Sequence, residues 1–157
     1  MAAIKPDMKT PTEIFAKLKD ESWSLGETND CTVKALAVAA DIPYAQAHSL
    51  LAAKGRKKNQ GAYTYQYHQI LRDLGFVLTR VDTDKIQAKY PRSKTGGYIY
   101  KQLTSHHMDL YPEFWNDGHV YLLQMAGHVG AVRDGKIHDW TKGRAKRIQS
   151  VYRITKA

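Results

Sequence analysis

The stretch Gly127-His128-Val129-Gly130-Ala131-Val132-Arg133-Asp134-Gly135-Lys136-Ile137-His138-Asp139-Trp140 reads as an antiparallel hairpin. Asp134-Gly135 between two strand-like runs favours a two-residue type I′ turn, whose central residues both take positive φ. That turn sets the register: Arg133 faces Lys136, Val132 faces Ile137, Ala131 faces His138, and Gly130 faces Asp139. His128 lies two residues from Gly130, on the same face, so Asp139 is its diagonal neighbour. Diagonal neighbours lie about 7–8 Å apart at the backbone, and their side chains can meet. Gly130 leaves the space a tilted imidazole needs. His138 is expected on the other face, beside Val129 and Trp140; only a one-residue bulge would exchange the two histidines.

Around this hairpin the alternation of apolar residues predicts further antiparallel strands over Val120–Met125 and Ile148–Ile154, and a strand over Phe76–Val81. Upstream the period changes. Thr12 can cap a helix with Ile14, Phe15 and Leu18 on its apolar side, followed by a polar loop from Ser22 to Asp30. An alanine-rich helix follows through Ala40, small enough on its faces to be central, and is broken at Pro43. Tyr44 to Ala53 and Tyr65 to Leu74 are helical, separated by a basic, flexible linker from Arg56 to Gly61. Tyr98 to Leu103 reads as a short helix, and Thr104 to Gly118 has no clear pattern. Helices first and an antiparallel sheet afterwards make an α+β fold. Residues 1–11 are expected as a flexible tail and 12–157 as one domain.

The only cysteine, Cys31, opens the alanine-rich helix after Thr28-Asn29-Asp30. A thiol in the first helical turn feels the positive end of the dipole, which favours thiolate. A lone cysteine is ordinarily a small buried hydrophobe. Cys31 with His128 and Asp139, however, supplies a nucleophile, a base that later protonates the leaving group, and an acid to orient the imidazole.

The 157 residues suit one domain with a real core, and no apolar run reaches membrane-spanning length. One cysteine allows no internal disulfide, and the first residues lack a secretory apolar segment, so a cytoplasmic setting is expected. The formal net charge of +9 gathers at Arg56-Lys57-Lys58 and at Arg144, Lys146 and Arg147. Such clusters either solubilise a surface or attract nucleic acid or an acidic protein. Tyr63, Tyr65 and Tyr67 alternate, which argues against one base-stacking face if they lie on a helix. His106, His107, Asp109 and His119 have a count suited to zinc but no helix-spaced ligand motif, so no metal or cofactor is expected.

The order Cys31, then His128-Val129-Gly130-Ala131-Val132, then Asp139-Trp140 resembles the papain-like cysteine peptidase superfamily. More closely, Asn29-Asp30-Cys31-Thr32-Val33-Lys34-Ala35-Leu36 with Gly127-His128 and Asp134-Gly135…Asp139 resembles small proteins encoded by tailed bacteriophages. The likeness spans most of residues 28–140. It implies a papain-like fold with the cysteine on a central helix packed on the sheet, and a thiol hydrolase or acyl transferase working through a thioester. It also implies a protein or peptide substrate, a possible host-protein target, and host cytoplasm if the protein is phage-encoded. The family's oxyanion-hole Gln, five or six residues before the cysteine, is replaced here by Gly26 and Leu25. Asn29 is the candidate substitute, alongside its alternative as a helix cap. Ovarian-tumour deubiquitinases share Asn29-Asp30-Cys31 more distantly; they expect an acid where Thr28 stands. A catalytically inactive scaffold that binds nucleic acid or a host protein through its basic clusters is the alternative function.

Overall fold

The computed structural model describes residues 11–83, 85, 104–105, 115–142, 144 and 146–157. Four helices, α1 (Glu13–Ser24), α2 (Cys31–Ala40), α3 (Tyr44–Ala53) and α4 (Thr64–Asp73), precede a five-stranded sheet. The strands are β1 (Phe76–Val81), β2 (Val120–Met125), β3 (His128–Arg133), β4 (Lys136–Ile137) and β5 (Ile148–Lys156). They pair antiparallel in the order β1-β5-β2-β3-β4. This is the α+β arrangement expected.

The alternation along the strands divides the buried side chains between two faces. Leu122, Val129, Ala131 and Ile154 pack with the helices, while Tyr121, Leu123, Val132, Ile137 and Val151 pack with Trp115 on the opposite face. The central helix is α2. From Thr32 to Ala40 all its residues are buried except Lys34, as an element apolar nearly all round must be. It ends at Asp41, which takes the left-handed conformation at φ 54°, so Pro43 serves the start of α3 rather than stopping α2.

Both ends of α2 are tied to β3. Cys31 begins the helix, and the Arg133 guanidinium at the far end of β3 donates to the carbonyls of Val38 (2.8 and 3.1 Å) and Ala39 (3.4 Å). These are final-turn carbonyls, Val38 also accepting from the Asp41 N–H at 3.3 Å, and a cation there suits the dipole. Helix and strand therefore run side by side in the same direction, with Cys31 at the His128 end.

The turn is as expected. Asp134 and Gly135 have φ of 54° and 73°, and Val132 pairs with Ile137 and Arg133 with Lys136. The His138 N–H donates to the Ala131 carbonyl at 3.0 Å, which continues the register by one residue.

Four local expectations need correction. Ile14 is exposed; Phe15, Leu18 and Ser22 form the inner side of α1, which continues to Ser24. The fourth strand stops at Ile137 instead of reaching Trp140, because the chain turns at Asp139, whose carbonyl accepts from Lys142 N–H at 3.2 Å. Trp140 consequently packs against His128, with ring centroids 4.8 Å apart, and not beside His138. Residues 56–61 are not a loose linker, since Arg56 is buried in an ion pair with Glu27 at 2.8 Å. The tail to residue 10 and the helix expected over 98–103 lie outside the described residues.

Candidate active site

The hairpin brings His128 and Asp139 into direct contact: Nε2 of His128 lies 2.6 Å from Asp139 Oδ2. Gly130 makes this possible. A Cβ there would sit 3.1 Å from Asp139 Oδ2 and 3.2 Å from its Cγ, so a side chain would displace the carboxylate. Asp139 is further held by Thr141, whose hydroxyl donates to Oδ2 at 2.6 Å and whose N–H approaches it at 3.3 Å. Thr141 is wholly buried and escaped the sequence reading. Its signal is the Asp139-x-Thr141 spacing, at which a carboxylate accepts from the backbone and hydroxyl two residues on.

His128 also contacts Cys31. Burial alone would lower the imidazole's pKa, but hydrogen bonding to Asp139 and to Cys31, with their negative charge, outweighs it and raises the pKa to about 9. Cys31, half-buried, and His128 thus lie side by side, with Asp139 behind the imidazole.

Two cavities meet at this pair. One, of about 350 Å³, is lined by Cys31, Thr32, Tyr67, Gln124, His128 and Val129 among others. The second, of about 440 Å³, includes Asn29, Cys31, His128, Asp139, Trp140 and Lys146. Cys31 and His128 are common to both, so the sulfur lies in a cleft rather than under a closed core.

The segment before Cys31 is held by buried charge. Glu27 accepts from both Arg56 terminal nitrogens (2.8 and 3.3 Å) and from the Asn59 N–H (2.8 Å), and pairs with His48 Nε2 (2.6 Å). Burial opposes its charge, yet these donors hold its pKa down at about 2. Asn59 reaches back, accepting from Thr28 N–H at 2.7 Å and from Asn29 Nδ2 at 3.3 Å. Asn29 therefore lines the cleft at φ 50°, with part of its amide spent on the Asn59 carbonyl, and the helix cap is Asp30. The Asp30 carboxylate makes no cap bond; it accepts from Tyr44 OH at 2.7 Å and pairs with Lys34 at 3.0 Å. Burial works against its charge, but bonds from Ser22, Tyr44 and Lys34 lower its pKa.

Of the basic candidates, Arg56 is withdrawn from any binding surface by its pairing with Glu27. Lys57 and Lys58 are exposed nearby. Arg144 lies over the Trp140 ring (5.8 Å), Lys146 lines the second cavity, and Arg147 is exposed. Ser105 anchors this stretch, its N–H donating to the Lys146 carbonyl at 2.9 Å. Tyr63 and Tyr65, both exposed, stack at 5.8 Å, whereas Tyr67 is buried. They stack because Tyr63 precedes α4 in extended backbone, so helical spacing does not apply to it.

His138 is not part of the cleft. Its Nδ1 bonds the Thr12 hydroxyl at 2.7 Å and its Nε2 the Arg133 carbonyl at 3.3 Å, and burial lowers its pKa. Among the described residues no group of three His, Cys, Asp or Glu side chains is gathered for a metal. His106, His107 and Asp109 lie outside them; the His119 N–H bonds Asp117. No described helix is long and apolar enough to cross a membrane.

No family model, curated protein or solved structure matches this chain.

Proposed function

We propose that this protein is a papain-like thiol hydrolase or acyl transferase, acting on a protein or peptide through a thioester on Cys31. The observation that carries the reading is the 2.6 Å His128–Asp139 contact, with Cys31 against the same imidazole at the start of a buried helix. With a pKa raised to about 9, the ring holds a proton at neutral pH, the state in which it pairs with a thiolate and later protonates a leaving group. Asp139 fixes ring orientation and supports that charge, and Thr141 keeps Asp139 in place.

The sulfur attacks the acyl carbon, the leaving group departs with the proton from His128, and water or an amine then releases the acyl group. Arg144 and Lys146 flank the cleft at Trp140 and favour acidic segments on that side.

Incubation with p-nitrophenyl acetate should leave an acetyl group on Cys31, detected by peptide mass mapping and released by hydroxylamine at neutral pH. Cys31→Ala should abolish it. An unmodified Cys31 in the folded protein would overturn the proposal.

A second reading, an inactive scaffold binding an anionic partner, draws on exposed Lys57, Lys58, Arg144 and Arg147. It requires affinity for nucleic acid that falls steeply with salt; absence of binding at low salt removes the nucleic-acid form.

A further inference from the structure

A thiol acyl transfer needs a donor for the oxyanion, and the usual upstream position does not supply one. Leu25 caps the end of α1 and Gly26 turns the chain at φ 64°. The other wall of the cleft carries a different group. Tyr67, in the first turn of α4, is 5% exposed and lines the same cavity as Cys31 and His128. Gln124 of β2 donates from Nε2 to the Tyr67 hydroxyl oxygen at 2.5 Å and to Thr64 Oγ1 at 3.1 Å.

The first of these bonds uses the acceptor side of Tyr67 and leaves its proton. Its one donor contact among the described residues, to Thr64 Oγ1, is long at 3.5 Å, beyond a normal O–H···O bond. A buried hydroxyl that accepts at short distance and has no close acceptor among the described residues is set up to donate to something that enters the cavity. Thr32 gives a second, independent sign: its Oγ1 is buried on the same cavity and has no hydrogen-bond partner among the described residues.

We propose that the Tyr67 hydroxyl, braced by Gln124, donates the hydrogen bond that stabilises the oxyanion formed when Cys31 attacks a carbonyl. The assignment rests on the thiol-site reading above. The Cys31 sulfur forms a bond to the acyl carbon, and the carbonyl π pair moves onto oxygen, which Tyr67 O–H receives. Return of that pair expels the leaving group, which takes its proton from His128. Burial raises the pKa of Tyr67 and outweighs the lowering by its hydrogen bonds with Thr64 and Gln124, so the hydroxyl keeps its proton across the working range.

The test separates two reactions of the same sulfur in the full chain. Acylation by p-nitrophenyl acetate passes through an oxyanion; alkylation by iodoacetamide does not. With Cys31→Ala subtracted as the blank, Tyr67→Phe should slow acylation by about 10²–10³-fold, the usual effect of losing one such donor. Its alkylation rate should stay within about twofold of the original protein, as both reactions begin from the same thiol. Gln124→Met, which removes the brace and keeps the hydroxyl, should give a smaller loss in acylation and unchanged alkylation. Equal acylation by Tyr67→Phe and the original protein overturns the Tyr67 assignment while the thiol site stands. A parallel fall in both rates also overturns it, by showing a general disturbance of Cys31. Failure of the original protein to be acylated at all removes the thiol-site reading and this assignment together.

Discussion

Two histidine–carboxylate pairs in this molecule share a 2.6 Å contact and differ in everything around it. At His48–Glu27 the carboxylate is saturated: Arg56 and Asn59 donate to it as well, and it has no solvent-exposed surface. The pair ties residues 27 and 56–59 together and so shapes the loop before Cys31. At His128–Asp139 the carboxylate is held from behind by Thr141, and the imidazole shares its cleft and its electrostatics with Cys31, the chain's single thiol. The geometry of the pair is therefore no guide to its role. What surrounds each pair is the guide, and the function proposed above gives one pair a positioning role and the other the chemistry.

The difference can be broken most sharply by removing each pair's key partner. His128→Ala should reduce acylation of Cys31 by roughly 10²–10⁴-fold, the range for loss of a general acid–base group, with cooperative unfolding retained. Arg56→Ala should instead act on stability, at about 3–5 kcal/mol by denaturant unfolding, because it strands the buried Glu27 charge. If Arg56→Ala left stability unchanged, Glu27 would not be the desolvated charge described here. Gly130→Ala should come next. The added Cβ meets Asp139 and must shift it, and misplacement of a supporting group by several tenths of an ångström should cost about tenfold in acylation. An unaltered rate would mean that Asp139 does not orient the ring.

In the pH dependence of stability the two pairs act at opposite ends. Glu27 has a folded pKa of about 2 against an ordinary 4.5, so its stabilisation is complete above pH 4.5 and is lost as pH falls through 2. His128 has a folded pKa of about 9 against 6.5, so its stabilisation is complete below pH 6.5 and is lost as pH rises through 9. Unfolding curves across this range should show both limbs, and His128→Ala should flatten the alkaline one alone. Loss of the acid limb in that variant would contradict the separation of the pairs.

Much of the site was legible because one dipeptide fixes it. Asp134-Gly135 determines the turn, the turn determines the register, and the register puts Asp139 beside His128. The helix that carries Cys31 was equally clear from its run of small apolar residues. The misreadings came where local pattern stops governing. Trp140 went to the wrong neighbour because strand parity was carried past the point where the chain leaves the sheet. Arg56 read as part of a solvated basic run because its partner, Glu27, is 29 residues away, and nothing in either neighbourhood signals a buried pair. Thr141 escaped notice, and Tyr67 was weighed only as a stacking ring, for a related reason: what a hydroxyl bonds depends on which donors and acceptors the fold brings to it.

The central claim is that Cys31 and His128 act as one unit, and the rate of Cys31 alkylation by iodoacetamide across pH 5 to about 10.5 tests it most directly. In the original protein the profile should show two inflections, the upper near pH 9 where His128 gives up its proton, and His128→Ala should collapse it to a single thiol titration. One inflection at an ordinary thiol pKa of about 8.5, the same with and without His128, would contradict the account.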